Sequence, residues 1–205
     1  MASASRPIFV APERVRVLQD LRNIKVALLG DSHMRRTFEQ WSFENIEPWN
    51  ARQQHLTTLF FGRGGLKTCE LQSYVHRAIT WRPHIVIIQI GSNDLDVNSI
   101  KSKESYANPI FDLYRQFENE GIVTFVIGLP VRYKLSHVNV LIYQRRSRAA
   151  NTALRKKLPP GRYIALPGML YNTPDSYFDG VHFNKGCYGL VAVLIKTKIE
   201  ELLAN

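Results

Sequence analysis

The sequence predicts an α/β protein, a three-layer α/β/α sandwich on a parallel sheet of five strands. Apolar segments of β type alternate along the chain with segments of helical periodicity. The segment from His84 to Ile90 is almost unbroken in its apolar character, which is typical of a central parallel strand buried on both faces. Because such alternation requires parallel pairing and right-handed crossovers, the helices must cover both faces of the sheet.

The first half of the chain supplies three of these strands. An apolar run from Ile24 to Leu29 that ends at a glycine predicts the first strand, and apolar residues on one helix face predict a helix from His33 to Phe43. Aromatic and β-branched residues from His55 to Phe61 predict the second strand. Thr68 is a candidate N-cap for a helix that ends near Trp81, and a proline then precedes the third strand.

The second half adds two strands and three helices. Periodicity predicts a helix from Ser105 to Asn119 and a strand from Ile122 to Gly128. A long basic helix follows from Val138 to Leu158 and is stopped by a Pro-Pro-Gly sequence. A short strand from Arg162 to Leu166 and an amphipathic helix from Lys185 to Leu203 complete the pattern.

The remaining segments are predicted to be peripheral. Residues 1–23 form an N-terminal extension with one helix, from Pro12 to Leu21, and residues 24–205 form the single globular domain. Polar or proline-containing stretches predict loops at 44–54, 95–103, 129–136 and 167–178.

Composition narrows the class of protein. The chain has 205 residues, 45% hydrophobic and 21% charged, which is typical of one globular domain with a full core. No apolar run is long enough to span a bilayer, and the N-terminal segment lacks the hydrophobic core of a signal peptide, so we expect an intracellular, cytoplasmic protein. Cys69 and Cys187 match no metal-ligand spacing and are expected to be buried thiols. The sequence predicts neither a metal nor a cofactor.

Polar residues follow the predicted strands at the edge where the carboxyl ends meet. Ser32 follows the first strand, Gly65 the second and Asn93 the third, while Asp179 and His182 lie in the segment after the fifth. Ligands of open parallel sheets bind outside this edge.

These residues supply the groups that acyl transfer to serine requires. Ser32 would be the nucleophile, at a helix N-terminus that favours a developing anion. His182 would accept its proton, and Asp179 would orient the imidazole. The main-chain N–H groups of Ser32 and Gly65 and the side-chain amide of Asn93 would form the oxyanion hole.

Each feature also has a purely structural explanation. Asp31 or Ser32 can cap the following helix, the Gly64-Gly65 pair can form a turn, and the segment from Asp179 to His182 can be a capping turn. Asn93 can likewise be part of a helix cap. We favour the catalytic interpretation because the features occur together, in order, at the appropriate strand ends.

Three further residues are predicted to contact substrate. They are Asp31, beside the candidate nucleophile, and Tyr177 and Phe178, in the loop before Asp179. The two aromatic residues either line the acyl site or anchor the loop on the core. Short loops leave no segment for a lid, which predicts a shallow site with a preference for acetyl to butyryl esters.

The net charge of +10 indicates a polyanionic partner such as nucleic acid or an anionic membrane surface. The predicted basic helix carries six cations, which are Arg145, Arg146, Arg148, Arg155, Lys156 and Lys157. Such a run is also typical of a solvated helix face. The oligomeric state is not indicated by the sequence.

Four short motifs resemble those of the SGNH, or GDSL-type, hydrolase family. They are Gly30-Asp31-Ser32, Phe61-Gly62-Arg63-Gly64-Gly65, Gly91-Ser92-Asn93-Asp94 and Asp179-Gly180-Val181-His182. His33 departs from the apolar residue that usually follows the family serine. Compact size and basic charge are also similar to esterase domains in the first open reading frame of some animal retroelements.

The resemblance implies a flavodoxin-like sheet of order 2-1-3-4-5. It also implies that Ser32 is the nucleophile, His182 the base and Asp179 its partner, with Ser32, Gly65 and Asn93 lining the oxyanion hole. The family includes lipases, acetylesterases and thioesterases, and also members that have lost the triad and bind RNA. We therefore expect a serine esterase with an acyl-enzyme intermediate; the alternative is a nucleic-acid-binding module with a vestigial site.

Overall fold

A parallel sheet of five strands forms the centre of the computed structural model, which describes residues 12–42, 54–97 and 103–204. The strand order is β2-β1-β3-β4-β5. The strands are β1 (Asn23–Gly30), β2 (His55–Gly62), β3 (Ile85–Gln89), β4 (Val123–Ile127) and β5 (Tyr163–Ile164). The predicted fold class and strand order are thus confirmed.

Helices cover both faces of this sheet. They are α1 (Pro12–Asp20), α2 (Ser32–Ser42), α3 (Gln72–Trp81), α4 (Ser92–Leu95), α5 (Lys103–Asn119), α6 (Val140–Lys157), α7 (Met169–Asn172) and α8 (Lys185–Ala204). None of the described helices is both long and apolar enough to cross a membrane.

Alternate side chains of the buried strands divide the core in two. On one face, residues such as Leu28 and Ile87 pack against α1, α2 and α8. On the other face, their chain neighbours Leu29 and Ile88 pack against α3, α5 and α6. Every residue of β3 is buried, as expected of a central parallel strand, whereas the edge strand β2 alternates between exposed and half-buried positions.

Several element boundaries differ from the sequence prediction. The helix predicted from Thr68 is divided into a 3-10 turn at Thr68–Glu70 and α3, because Leu71 adopts a cap conformation between them. The predicted loop at 167–178 contains α7 and a 3-10 turn at Pro174–Ser176. The prediction that both cysteines are buried was wrong for Cys69, which is exposed.

Other predicted segments agree in type but not in length. The basic helix α6 begins at Val140, where Asn139 caps it by accepting a hydrogen bond of 2.8 Å from the Leu141 N–H. Strand β5 is only Tyr163–Ile164. The predicted loop at 44–54 and most of that at 95–103 lie outside the described residues.

Candidate active site

Ser32 is the first residue of α2, directly after the end of β1. Asp31 caps this helix: its Oδ1 accepts a hydrogen bond of 2.9 Å from the His33 N–H. Gly30 is required at the crossing, since a Cβ there would lie 2.1 Å from the carbonyl oxygen of Gln89. The turn therefore places the Ser32 hydroxyl at the carboxyl edge of the sheet and at a helix N-terminus.

Ser32, His182 and Asp179 form one chain of hydrogen bonds. The His182 Nε2 lies 3.0 Å from the Ser32 Oγ, and its Nδ1 lies 2.8 Å from the Asp179 Oδ2. The Asp179 Oδ1 also accepts the main-chain N–H groups of Val181 and His182, at 2.8 and 2.7 Å. The fold thus brings together three residues that are 150 positions apart at their widest. This geometry is that of a nucleophile, a base and an orienting acid.

Asp179 is held in its charged form by these contacts. Burial by itself raises the pKa of the carboxyl group, but the hydrogen bonds from the His182 ring and from two main-chain N–H groups outweigh burial and lower the pKa to about 2. The carboxylate is therefore ionised throughout the neutral range, where it favours the His182 tautomer with a proton on Nδ1.

The glycine pair follows β2 and lies beside Ser32. A Cβ on Gly64 would be 3.8 Å from the Ser32 Cβ, whereas Gly65 has a φ of +76° and open space around it. The left-handed backbone at Gly65 favours glycine. Both residues are therefore near enough to the nucleophile for the oxyanion role, which the sequence assigned to Gly65.

Asn93 lies in α4 with its side-chain amide engaged on three sides. Its Nδ2 donates to the Leu66 carbonyl at 2.8 Å and lies 3.5 Å from the Asp31 Oδ2. Its Oδ1 accepts a hydrogen bond of 2.9 Å from Arg132. Because a guanidinium only donates, Arg132 fixes which end of the amide carries the N–H groups. The adjacent Asp94 accepts from the Thr68 N–H at 3.0 Å, so α4 also anchors the glycine loop.

Arg132 was not singled out from the sequence as a site residue. It is 5% exposed and lies over the Tyr143 ring, 5.5 Å from the ring centroid. No single-residue pattern identifies it, since its partner Asn93 lies 39 positions away in the chain.

Asp31 is fully buried, so its carboxylate does not face a substrate as the sequence analysis expected. Its 0% exposure and its capping bond match the structural alternative for this residue. Burial raises the pKa of Asp31 to about 6, although the His33 N–H and the Arg132 cation act in the opposite direction.

His33 forms a second buried layer behind His182. Its Nδ1 lies 3.1 Å from the Tyr188 hydroxyl, and its ring centroid lies 5.4 Å from that of His182. Burial lowers the pKa of His33 well below its ordinary value, and the nearby charges of Arg132 and His182 act in the same direction. A neutral histidine therefore occupies the position where the resembling family has an apolar residue.

The two aromatic candidates for substrate contact differ in placement. Tyr177 is 7% exposed, and its hydroxyl donates to the Leu170 carbonyl at 2.7 Å, so it anchors the loop on the core. Phe178 is 58% exposed, and its ring stacks on His182 with 5.9 Å between centroids.

The six cations of α6 do not form one equivalent set. Arg146 donates to the carbonyls of Leu95 and Val97, at 2.8 and 2.7 Å, and so holds the segment after α4. Arg155 and Lys157 lie over aromatic rings, whereas Arg145, Arg148 and Lys156 are exposed.

Two cavities lie near opposite edges of the sheet. One of about 590 Å³ lies at the amino ends of β3 and β4, away from every candidate site residue, and one of about 430 Å³ lies between α2 and α8 beside Phe178. Among the described residues, no three His, Cys, Asp or Glu side chains are grouped in a way that would hold a metal ion.

The chain has the fold of GDSL-type lipases and acylhydrolases. A lipase/acylhydrolase from Enterococcus faecalis matches with a TM-score of 0.62 and 15% identity, over 86% of this chain and 95% of that one. An acetyl xylan esterase matches with a TM-score of 0.62 and 16% identity, over 86% and 100%. A GDSL-like lipase from Bacteroides thetaiotaomicron matches with a TM-score of 0.60 and 14% identity, over 92% and 97%.

At these identities the likeness shows the fold alone. No protein-family model matches the chain, and no curated protein matches its sequence. The chemistry of this chain must therefore be argued from its own site.

Proposed function

We propose that this chain is a serine ester hydrolase. The observation that carries the proposal is the hydrogen-bonded chain from the Ser32 Oγ through the His182 ring to Asp179, with links of 3.0 and 2.8 Å. Such a chain activates a hydroxyl group that is otherwise a weak nucleophile. Its position at the carboxyl edge of the sheet, among strand ends that also carry glycine and amide donors, supports the same function.

The reaction follows from these groups. The Ser32 Oγ attacks the ester carbonyl carbon while the His182 Nε2 takes its proton, and the carbonyl oxygen becomes an oxyanion. The bond to the alcohol oxygen then breaks, and His182 returns the proton to that oxygen. Water attacks the resulting acyl-enzyme, gives a proton to His182, and releases the carboxylic acid with Ser32 restored.

The oxyanion is assigned to donors around Ser32. They are the main-chain N–H groups of Ser32 and Gly65, with Gly64 as the alternative glycine, and the Asn93 amide. The 3.5 Å separation between the Asn93 Nδ2 and the Asp31 Oδ2 is long for a hydrogen bond, so one N–H of this amide is only weakly engaged in the free protein.

Short acyl chains are the proposed substrates. The described loops around Ser32 are short, and the exposed Phe178 covers only one side of His182. A site of this kind removes few methylene groups from water, and each buried one is worth only about 0.8 kcal/mol.

Hydrolysis of p-nitrophenyl acetate tests the proposal. The wild-type protein should turn it over in the presence of a chelator, and Ser32→Ala should reduce the rate to background. Ser73→Ala is the matched control, because Ser73 is exposed on α3. A wild-type rate equal to that of Ser32→Ala would contradict the proposal.

The acyl preference is tested separately with esters of about two to about sixteen carbons. We expect kcat/KM to be greatest for acetyl to butyryl esters. A maximum beyond about eight carbons would instead require an apolar groove that gains about 0.8 kcal/mol for each methylene.

A second candidate is binding of nucleic acid or an anionic membrane surface. The net charge of +10 and the exposed cations Arg145, Arg148 and Lys156 on α6 favour it. This function does not depend on the Ser32 site, so the protein can have either or both.

A further inference from the structure

The cavity of about 430 Å³ adjoins the proposed nucleophile. Arg36 lines it and lies one helical turn after Ser32, which places both residues on the same face of α2. Phe178 also lines the cavity, and the same ring stacks on His182. A substituent on an ester bound at Ser32 therefore reaches this cavity without a change in the fold.

The cavity contains an arginine whose donors are not all used. The Arg36 Nε is buried and has no hydrogen-bond partner within the described part of the chain, and the guanidinium carbon lies 5.1 Å from the Phe178 ring centroid. Buried donors are rarely left without a partner in a folded protein. An unpaired guanidinium N–H in a cavity beside an active site is therefore a feature that a bound acceptor would satisfy.

The other charges at the cavity favour an anion. Lys185 provides a second cation from the beginning of α8. Glu39 is the acidic residue at this cavity, and it forms an ion pair of 3.3 Å with Arg35, the neighbour of Arg36. The cavity thus holds two cations against one carboxylate that already has a cationic partner.

The position of His182 decides which part of the ester lies here. In the proposed reaction His182 gives its proton to the departing alcohol oxygen, so the alcohol leaves on the His182 side. The proposed oxyanion donors, Gly65 and Asn93, belong to other strand ends. Because Phe178 touches both His182 and the cavity, the cavity receives the alcohol part rather than the acyl part.

We propose that the cavity bounded by Arg36, Lys185 and Phe178 binds an anionic group on the alcohol part of the substrate, a carboxylate, sulfate or phosphate. This inference rests on the proposed esterase activity and narrows its substrate class to short-chain esters of acidic alcohols. The planar guanidinium suits such groups because it donates two parallel hydrogen bonds.

Two acetate esters that differ only in charge test the inference. Para-acetoxybenzoate carries a carboxylate on the alcohol part, and its methyl ester is neutral. We expect the wild-type kcat/KM to be about tenfold higher for the anionic ester, and we expect Arg36→Gln and Lys185→Gln each to reduce that ratio severalfold. Arg115→Gln is the charge-matched control, because Arg115 is exposed on α5, across the sheet. It should leave the ratio unchanged.

Several results would overturn the inference. A wild-type ratio near one would do so, and so would an equal loss of preference in Arg36→Gln and Arg115→Gln, which would indicate attraction by the net charge alone. Lys185 is exposed, so its variant keeps the test valid if Arg36→Gln fails to fold.

A binding measurement separates this inference from the esterase proposal. Calorimetry with Ser32→Ala compares para-hydroxybenzoate with its methyl ester, and the acid should bind more tightly only while Arg36 is present. Tighter binding of the acid without any turnover by the wild type would uphold the subsite and reject the esterase. Turnover of the neutral ester without selective binding of the acid would do the reverse.

Discussion

Replacing Asp31 by asparagine should make the protein more stable at neutral pH than the wild type. The carboxyl group is 0% exposed, and burial raises its pKa to about 6 from an ordinary value of 3.8. Between these two values the folded protein keeps a proton that the unfolded chain has released, so the free energy of unfolding falls as the pH rises through this range. Asparagine keeps an oxygen that can accept the His33 N–H and has no proton to lose.

The magnitude follows from the difference between the two pKa values. About two pH units at about 1.4 kcal/mol each give about 3 kcal/mol that the wild type loses between about pH 4 and about pH 7 and the variant does not. Urea unfolding across this range, followed by tryptophan fluorescence, measures the change. Asp112→Asn, at an exposed position on α5, controls for the loss of one negative charge.

A stability difference that stays constant with pH would refute this reasoning. It would mean that the carboxyl group ionises at its ordinary value in the folded protein. A difference of opposite sign would mean that the Arg132 cation favours the carboxylate by more than burial disfavours it.

Three further predictions concern the cations around this site. Arg132→Met should lower kcat by about tenfold to a hundredfold, with KM nearly unchanged and partial rescue by Arg132→Lys, because the amide of Asn93 loses its charged partner. Arg146→Met should reduce the free energy of unfolding in urea by about 3 kcal/mol, since two buried-side carbonyl contacts are lost; no reduction would contradict a structural role. Neutralising Arg145 and Arg148 should reduce the slope of log K against log salt for a nucleic acid by about one per phosphate contact, with ester turnover unchanged; no binding at low salt would reject the polyanion site.

The sheet was predictable because its signals are local. Apolar runs, a glycine at the end of β1 and strong punctuation between elements place the strands, and parallel pairing then follows from their alternation with helices. Strand order 2-1-3-4-5 came from the resemblance of four motifs, and the structure confirms it. Boundaries were less predictable: β5 is only Tyr163–Ile164, because the residues that flank it do not pair with β4.

The candidate site was predictable only where it lies in short motifs. Ser32, Asp179 and His182 stand out because each lies beside a turn signal, and the fold brings them within hydrogen-bonding distance. The partner of the Asn93 amide, Arg132, has no such signal, because the contact depends on how two loops meet. The same limit applies to burial, which a sequence motif does not show for Asp31.

The basic helix α6 has two faces with different tasks. On its inner face Tyr143 donates to the Ser92 carbonyl at 3.1 Å, and Arg146 donates to the Leu95 carbonyl at 2.8 Å, so both hold α4. Helix α4 in turn carries Asn93 and, through Asp94, the glycine loop. Its outer face presents Arg145 and Arg148 to solvent.

A charge run that reads as one surface in the sequence is therefore divided by the fold. Arg146 belongs to the support of the proposed oxyanion site, whereas its neighbour Arg145 points away from it. Neutralising the whole run at once would mix a loss of surface charge with a loss of support for α4. The two effects separate only when the inner and outer cations are changed independently, which is why the salt-dependence experiment leaves Arg146 in place.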